Sequence, residues 1–203
     1  MKNVLLLTSS PRGEAAFSTQ VATELAQKIE GANLTTRELW RDNFPHITPD
    51  FIGAIHTPED GRTPEQSALA AISDELIAEL KAADIVIIAS GMINFAIPST
   101  LKAWIDYVVR SGETFNYDAN GLEGLVKGKQ TVLVLATGGI YSEGPMAPMN
   151  FQEPYLRTVL GFIGLTEVET VLIEGSNLGP DVAAKALASA REKVAELSVT
   201  YSN

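Results

Sequence analysis

Short apolar runs recur along the chain, and between them apolar residues return at every third or fourth position. Continuous apolar runs are typical of strands that are covered on both faces, as in a parallel sheet. Four such runs predict strands at 3–8, 84–89, 131–136 and 168–173, and a less apolar stretch at 35–40 predicts an edge strand. The pattern therefore predicts a mainly parallel sheet.

Apolar residues at helical spacing fill the intervals, including 21–29, 69–80 and 101–108, and an Ala-rich stretch at 181–197 predicts a closing helix. Five strands that alternate with five helices predict an α/β fold of three layers. Its five-stranded parallel sheet is doubly wound, with strand order 2-1-3-4-5 and helices on both faces. No shift in composition marks a boundary, so we expect a single domain over residues 1–203.

The topology indicates where a ligand binds. In a doubly wound sheet, ligands lie beyond the carboxyl ends of the first and third strands, where the connections diverge. The loops at 8–18, 90–98 and 136–150 are therefore the expected functional site. The longest irregular stretch, 41–64, contains four Pro and two Gly residues, and loops of that length are usually functional.

Composition and charge exclude several classes of function. The chain has 203 residues, 45% of them hydrophobic, and no Cys, which excludes disulfides and thiolate chemistry. A net charge of −10 argues against a nucleic-acid partner. No apolar run approaches the roughly 20 residues that span a bilayer, and the apolar run after Lys2 is too short for a signal sequence. We therefore expect a cytoplasmic protein with no membrane partner.

The first loop combines small hydroxyls, a glycine and an arginine. Ser9, Ser10 and Arg12 follow the first strand, and the next helix is predicted to begin near Phe17 and Ser18. Hydroxyls, backbone N–H groups and a helix N-terminus together suit a phosphate. Neither GxxxxGK[ST] nor GxGxxG is present, so ATP and dinucleotide sites lose their main support. The alternative is that Ser18 caps the helix and the loop is an ordinary turn.

The other two loops offer different chemistry. Met92, Ile93, Asn94 and Phe95 follow a buried strand, and their apolar side chains and one amide suit the edge of a flat heterocycle, although core packing is the alternative for each apolar residue. The Gly-Gly pair at 138–139 leaves backbone N–H groups open to a ligand, or is simply a turn. Together the three loops predict a site for flavin mononucleotide (FMN).

Across almost its whole length the chain resembles the FMN-dependent NADH-azoreductase family, flavodoxin-like homodimers that also reduce quinones. The resemblance is carried by VLLLTSSPRGEAAFS, MINFAIPSTLKAWIDYVVRSGETFNY, NGLEGLV, TGGIYSEGP and PYLRTVLGFIGL. It implies bound FMN, NADH or NADPH as electron donor, and quinones and azo compounds as acceptors. Because donor and acceptor stack on the same flavin face, it also implies ping-pong kinetics.

The resemblance also implies roles for individual residues. It places the FMN phosphate at Ser10, Ala16, Phe17 and Ser18, the isoalloxazine and ribityl at Met92, Ile93, Asn94 and Phe95, and the pyrimidine end at Ala136, Thr137, Gly138 and Gly139. The N–H groups of Gly138 and Gly139 would stabilise negative charge on the flavin, with no catalytic acid or base side chain. Tyr117 and Phe162 would lie near the substrate face, reaching it from the partner subunit, although a core or interface role is the alternative.

The chain departs from the family at three positions. Ile93 stands where the family often has Tyr, and Ala16 stands where a serine often binds phosphate, which places more weight on Ser10, Ser18 and Arg12. His56 stands near the position where some members of the family carry an Arg that is linked to the choice of nicotinamide nucleotide. His56 is therefore a candidate substrate-binding residue, and the preference for NADH or NADPH stays open.

Other functions fit less well. The chain lacks the GxSxG motif of a serine hydrolase. No His–His or His–Glu pair has the spacing of metal ligands, so no metal is expected. The rival is a flavodoxin-like carrier of single electrons, whose acidity this chain shares. Against it, the stretches at 41–64 and 113–126 are expected to wall a substrate cavity. Direct oxidation of NAD(P)H would separate the enzyme from the carrier.

Overall fold

A computed structural model of the chain describes residues 1–42, 44–119 and 121–202. The strands, in chain order, are β1 (Asn3–Thr8), β2 (Asn33–Glu38), β3 (Ile85–Gly91), β4 (Phe115–Asp118), β5 (Gly121–Gly124), β6 (Gln130–Ala136) and β7 (Glu167–Ile173). Five of them form a parallel sheet in the order β2-β1-β3-β6-β7. Numbered within that sheet, the order is 2-1-3-4-5, which confirms the predicted topology.

The helices are α1 (Phe17–Lys28), α2 (Pro49–His56), α3 (Pro64–Ala82), α4 (Ser99–Val108), α5 (Gln152–Ile163) and α6 (Pro180–Ser202). Within the described ranges, each of them is too short or too polar to cross a bilayer. The end of α3 returns the chain to β3 at the centre of the sheet, and α5 and α6 flank β7 in the sequence. The connections therefore alternate between strand and helix, as the hydropathy pattern predicts.

Alternation of side chains along each strand divides the core into two layers. Leu5, Leu7, Val86 and Ile88 belong to a cluster that contains residues of α3, α4 and α5. Their neighbours in the same strands, Val4, Leu6, Ile85 and Ile87, belong to a second cluster with residues of α1 and α6. The sheet is thus covered on both faces, and its central strands are continuously apolar because both of their faces are buried.

Two parts of the chain differ from the sequence-based expectation. The edge strand occupies 33–38 rather than 35–40. The stretch at 41–64 is not irregular throughout, because it contains α2, whose first turn is capped by the Thr48 hydroxyl accepting a hydrogen bond from the Phe51 N–H at 3.2 Å. Pro49 suits the first position of a helix, where no N–H partner is needed.

The stretch at 113–126 forms the antiparallel hairpin of β4 and β5. Phe115 in β4 packs against Phe162 in α5, with ring centroids 4.6 Å apart. The Val126 N–H donates to the Ile163 carbonyl at 2.8 Å, which fixes the end of the hairpin to the end of α5. The hairpin therefore lies against α5 and outside the main sheet.

Candidate cofactor site

The loops that follow β1, β3 and β6 converge at the carboxyl end of the sheet around a cavity of about 160 Å³. We call it the loop cavity. Its lining comes from the three predicted loops and from the loop after β7: Ser10, Pro11, Arg12, Ala16, Phe17, Ser18, Gly91, Met92, Ile93, Ala136, Thr137, Gly138, Ser176 and Asn177. The structure therefore brings together most of the residues that the sequence predicts to bind the cofactor.

The first loop is closed by its own backbone. The Gly13 N–H donates to the Ser10 carbonyl at 2.9 Å, and the Ala16 N–H donates to the Gly13 carbonyl at 3.1 Å. The Ser10 hydroxyl accepts from the Arg12 N–H at 3.3 Å, which leaves its own proton to donate. We call the stretch from Ser10 to Ser18 the phosphate loop, because it carries the predicted phosphate donors.

The helix that follows begins with open donors. Ala16 is the N-cap of α1, and no side chain of a described residue caps this end. The first N–H groups of a helix have no intrahelical partner, so those of Phe17 and Ser18 are open to a ligand in the loop cavity. Since the N-cap is Ala16, the alternative that Ser18 caps the helix is wrong.

The Ser18 hydroxyl supplies a test of fit. Ser18 is fully buried, and its Oγ has no hydrogen-bond partner within the described part of the chain. Leaving a buried hydroxyl unpaired costs about 1–3 kcal/mol. An anionic oxygen in the loop cavity would pair with this hydroxyl, with Ser10 and with the first N–H groups of α1. The residues at this end of the cavity therefore fit a phosphate group.

Ser9 differs from its neighbour Ser10. Its hydroxyl donates to the Ala89 carbonyl at 2.9 Å, and its N–H donates to the same carbonyl at 3.1 Å. The residue is completely buried and does not line the loop cavity. The prediction that Ser9 binds the cofactor is corrected accordingly, since its side chain joins the end of β1 to β3.

The second loop makes a tight turn over residues 93–96. The Ile93 N–H donates to the Ala96 carbonyl at 2.9 Å, and the Ala96 N–H donates to the Ile93 carbonyl at 3.0 Å. The two central residues, Asn94 and Phe95, have φ angles of 48° and 70°. Positive φ at both central positions defines a type I′ turn, which Asn tolerates and in which Phe is unusual. The turn projects Phe95 from the end of β3, where it packs edge-on against Tyr141.

The third loop is held close to the loop after β7. The Asn177 N–H donates to the Gly138 carbonyl at 3.0 Å, and a Cβ on Gly138 would lie 2.5 Å from the Asn177 Nδ2. A Cβ on Gly139 would lie 3.2 Å from the ring of Tyr141. Neither glycine N–H donates to a residue in the described ranges. The Gly-Gly pair therefore lies close to Asn177 and Tyr141, and it leaves the Gly138 N–H available to a ligand in the loop cavity, whose lining does not include Gly139.

Sequence reasoning missed Ser176 and Asn177, which line the loop cavity from the loop after β7. The Ser176 N–H and hydroxyl both donate to the Thr137 carbonyl, at 3.1 and 3.0 Å. Both residues follow the last strand of the sheet, so the rule that sites lie at carboxyl ends of strands could have included them. Their polar sequence carries no other signal.

An apolar groove adjoins the loop cavity, and Ile93 lines both. The groove has a volume of about 920 Å³ and lies between the 93–97 turn, α4 and α5, where it is lined by Ile93, Asn94, Ala96, Ile97, Ser99, Lys102, Phe151, Pro154, Tyr155 and Thr158. Burial raises the pKa of Tyr155, so its hydroxyl stays protonated near neutral pH. Lys102 is paired with Asp106 at the edge of the groove.

Comparison with known proteins identifies the family. A family model described as "Flavodoxin-like fold" matches residues 2–197. The FMN-dependent NADH:quinone oxidoreductase 1 of Rhizobium etli is 48% identical over 203 residues, which cover 98% of this chain and 99% of that protein. The chain belongs to the flavodoxin-like FMN-dependent NADH:quinone oxidoreductase family. The resemblance that the sequence indicates is thereby confirmed.

Other members of the family agree in length and fold. The FMN-dependent NADH:quinone oxidoreductase of Mesorhizobium japonicum is 50% identical over 196 residues, which cover 95% of this chain and 93% of that protein. The solved azoreductase from Bacillus anthracis str. Sterne is 31% identical, with a TM-score of 0.88 over 98% of this chain and 99% of that one. The chain is therefore similar to quinone oxidoreductases and azoreductases over nearly its whole length, and it is an oxidoreductase.

Three predicted substrate residues of this family member lie away from the loop cavity. Tyr117 is on β4 with 75% of its surface exposed. Phe162 is half-buried against Phe115, and neither Tyr117 nor Phe162 lines the loop cavity or the apolar groove. His56 ends α2 and lines a separate polar cavity with Arg62. Within one subunit, these three side chains are not brought to the site.

Proposed function

We propose that this protein holds FMN in the loop cavity and uses it to carry two electrons from NADH or NADPH to quinones and azo compounds. The observation that carries the proposal is the composition of the loop cavity. Phosphate donors, the apolar side chains of Met92 and Ile93, and Gly138 with its free N–H group surround one space at the end of the sheet. The names of the relatives, FMN-dependent NADH:quinone oxidoreductases, support the same cofactor and donor.

Each loop has a separate task in this proposal. Ser10, Ser18 and the first N–H groups of α1 bind the phosphate, and the positive end of the helix favours its charge. Arg12 lies exposed at the rim of the cavity and adds a second positive charge. Because the phosphate donors come from a single short loop, the site is suited to a monophosphate.

The opposite end of the cavity holds the ring system. When bound, FMN accepts a hydride from the nicotinamide and passes electrons to the acceptor. Met92 and Ile93 line the cavity and would lie beside the ring, and the N–H groups of Gly138 and the adjacent Gly139 would donate to the pyrimidine end, where they would stabilise negative charge. The N–H groups act by their position alone, so no side chain needs to gain or lose a proton.

The apolar groove supports a homodimer. Phe151 is 59% exposed at the groove, and Ile93 is 42% exposed where the groove meets the loop cavity. A large apolar surface of this kind is typically covered by a partner. In our proposal a second copy covers the groove, and Tyr117 and Phe162 of the partner subunit reach the substrate side of the cavity. This arrangement accounts for their distance from the cavity within one subunit.

A single preparation tests the cofactor. The purified protein is expected to be yellow, and denaturation is expected to release FMN. Release of FAD, or failure of the apoprotein to bind added FMN, would contradict the proposed site. A parallel assay with NADH and NADPH would decide the donor.

An electron carrier is the competing function, and it predicts a different result. Anaerobic addition of NADH or NADPH alone should bleach the yellow colour of the enzyme, and a quinone or azo compound should then restore it. A flavodoxin-like carrier would keep its colour until a separate reductase is added. Bleaching without that reductase would exclude the carrier.

A further inference from the structure

The backbone of Gly13 packs directly against the indole of Trp40. A Cβ on Gly13 would lie 3.0 Å from the Trp40 Cζ2 atom and 3.3 Å from Cε2. Gly13 is buried and has a φ of +55°, in the left-handed region that favours glycine. The phosphate loop and the indole are therefore in contact with no side chain between them.

Gly13 connects the indole of Trp40 to the predicted phosphate donors by its backbone hydrogen bonds. Its N–H is bonded to the Ser10 carbonyl and its carbonyl to the Ala16 N–H, at 2.9 and 3.1 Å. Ser10 and Ala16 are the two ends of the turn that leads into α1. A displacement of Gly13 would therefore move the Ser10 hydroxyl relative to the first N–H groups of the helix.

Trp40 is itself fixed to the sheet. The N–H of the preceding residue, Leu39, donates to the Thr8 carbonyl at 2.8 Å, so this segment is bonded to the end of β1. The guanidinium of Arg41 lies 4.3 Å from the centre of the indole ring and is paired with Glu38 at 2.8 Å. The indole Nε1 has no partner among the residues that the structure describes. The contact between the indole and Gly13 is therefore van der Waals packing and involves no hydrogen bond from the indole.

We propose that Trp40 is a positioning residue for the FMN phosphate, which acts through Gly13 and does not touch the cofactor. This inference rests on the proposed binding of phosphate by the phosphate loop. Removal of the indole leaves space behind Gly13, so Ser10 and the start of α1 no longer hold a fixed separation. The loss falls on the phosphate end of the ligand, and the ring end is unaffected.

The experiment compares FMN with riboflavin, which lacks the phosphate. Dissociation constants are measured for the apoprotein by quenching of flavin fluorescence. For Trp40→Ala we expect FMN affinity to fall about tenfold, which corresponds to about 1.4 kcal/mol, while riboflavin affinity changes less than about threefold. Trp40→Phe should lie between wild type and Trp40→Ala, which gives a graded series even where the larger truncation impairs folding.

A matched control separates the indole contact from general loosening of the segment. Phe44 belongs to the same segment and packs against Tyr107, with ring centroids 5.8 Å apart. Phe44→Ala should leave the ratio of FMN to riboflavin affinity unchanged. An equal effect of Trp40→Ala on both ligands, or an equal change of the ratio in Phe44→Ala, would overturn the inference.

A double-mutant cycle tests the route through Gly13. Gly13→Ala alone should weaken FMN binding, because its methyl group would meet the indole and because alanine is strained at a φ of +55°. In the Trp40→Ala background the same substitution should weaken binding less, since the space is then open. Additive losses would show that Trp40 does not act through Gly13, and this too would overturn the inference.

Ser18→Ala distinguishes the two levels of the argument. If Ser18→Ala weakens FMN binding more than riboflavin binding and Trp40→Ala does not, only the inference about Trp40 fails. If Ser18→Ala weakens both ligands equally, the phosphate assignment fails, and the inference about Trp40 fails with it. Selective losses of FMN in both variants support both.

Discussion

The hydroxyl of Ser18 is buried at the start of α1 without a partner in the described ranges, whereas the hydroxyl of Ser9 is bonded to the Ala89 carbonyl. Both were predicted to bind the cofactor, and local sequence does not separate them. The difference arises because Ser9 points back to β3 at the end of the sheet, while Ser18 follows the turn of the phosphate loop. Tertiary placement therefore assigns the two serines to different tasks.

Ser18→Ala should have opposite effects on the empty and the loaded protein. Removal of an unpaired buried hydroxyl should raise the free energy of unfolding of the apoprotein by about 1 kcal/mol. Loss of a hydrogen bond to a charged oxygen should weaken FMN binding by about 1.5–3 kcal/mol. Thermal or urea denaturation of the apoprotein and a flavin titration would measure the two quantities.

Ser9→Ala is the matched control for Ser18→Ala. It removes a satisfied hydrogen bond, so it should lower apoprotein stability by about 1 kcal/mol and affect FMN and riboflavin equally. A fall in apoprotein stability for Ser18→Ala would mean that its hydroxyl is paired in the apoprotein, contrary to our interpretation.

The turn at 93–96 combines an unfavourable backbone with an exposed aromatic side chain. Phe95 has a φ of 70° and 37% of its surface exposed. A residue with a Cβ pays about 1–2 kcal/mol in the left-handed region. Such outliers cluster at ligand sites, where the strain maintains a required side-chain position. The strained turn is therefore a candidate part of the ligand site.

Two substitutions at Phe95 isolate the backbone strain. Phe95→Gly and Phe95→Ala both remove the ring and its contact with Tyr141, but only Gly is at ease with positive φ. Phe95→Gly should therefore be more stable than Phe95→Ala by about 1 kcal/mol in apoprotein denaturation. This reverses the usual order of Ala and Gly.

The same pair at Leu69 serves as the reference for Phe95, because Leu69 lies inside α3 with a helical backbone and is likewise 37% exposed. There the Gly variant should be the less stable of the two. If Phe95→Ala is as stable as Phe95→Gly, then the turn is not strained at Phe95.

The sequence predicted the central elements well and the peripheral ones less well, for physical reasons. The run at 3–8 is buried on both faces, so its hydropathy alone defines β1. By contrast, α2 is a short helix in a stretch rich in Pro and Gly, and its cap at Thr48 is visible only when Pro49 is interpreted as a first helical residue. Ser176 and Asn177 have no periodicity, and only the fold brings them to the site.

The apolar groove is a large surface that a single subunit leaves uncovered beside the site. A homodimer should therefore give twice the 21.7 kDa of one chain in light scattering at micromolar concentration. Phe151→Asp places a charge in the groove and should shift the mass toward one chain while circular dichroism keeps its shape. Leu69→Asp, at another exposed apolar residue on α3, should remain a dimer.

The dimer proposal also predicts how assembly affects the site. If Tyr117 and Phe162 of the partner subunit complete the substrate side, the Phe151→Asp monomer should bind FMN but reduce quinones poorly. Full quinone activity in a protein with the mass of one chain would refute the shared site.

The position of the loop cavity at the carboxyl end of the sheet bears on the order in which substrates bind. Strand ends and the start of α1 close one side of the cavity, so a flat cofactor there would present one face outward. We infer that the nicotinamide nucleotide and the acceptor occupy that face in turn.

Double-reciprocal plots of rate against NADH at several quinone concentrations should then be parallel, and high quinone should inhibit competitively against NADH. A dead-end nicotinamide analogue should likewise compete with NADH and act uncompetitively toward the quinone. Intersecting lines would mean that both substrates are bound together, which requires a second binding face that this arrangement does not provide.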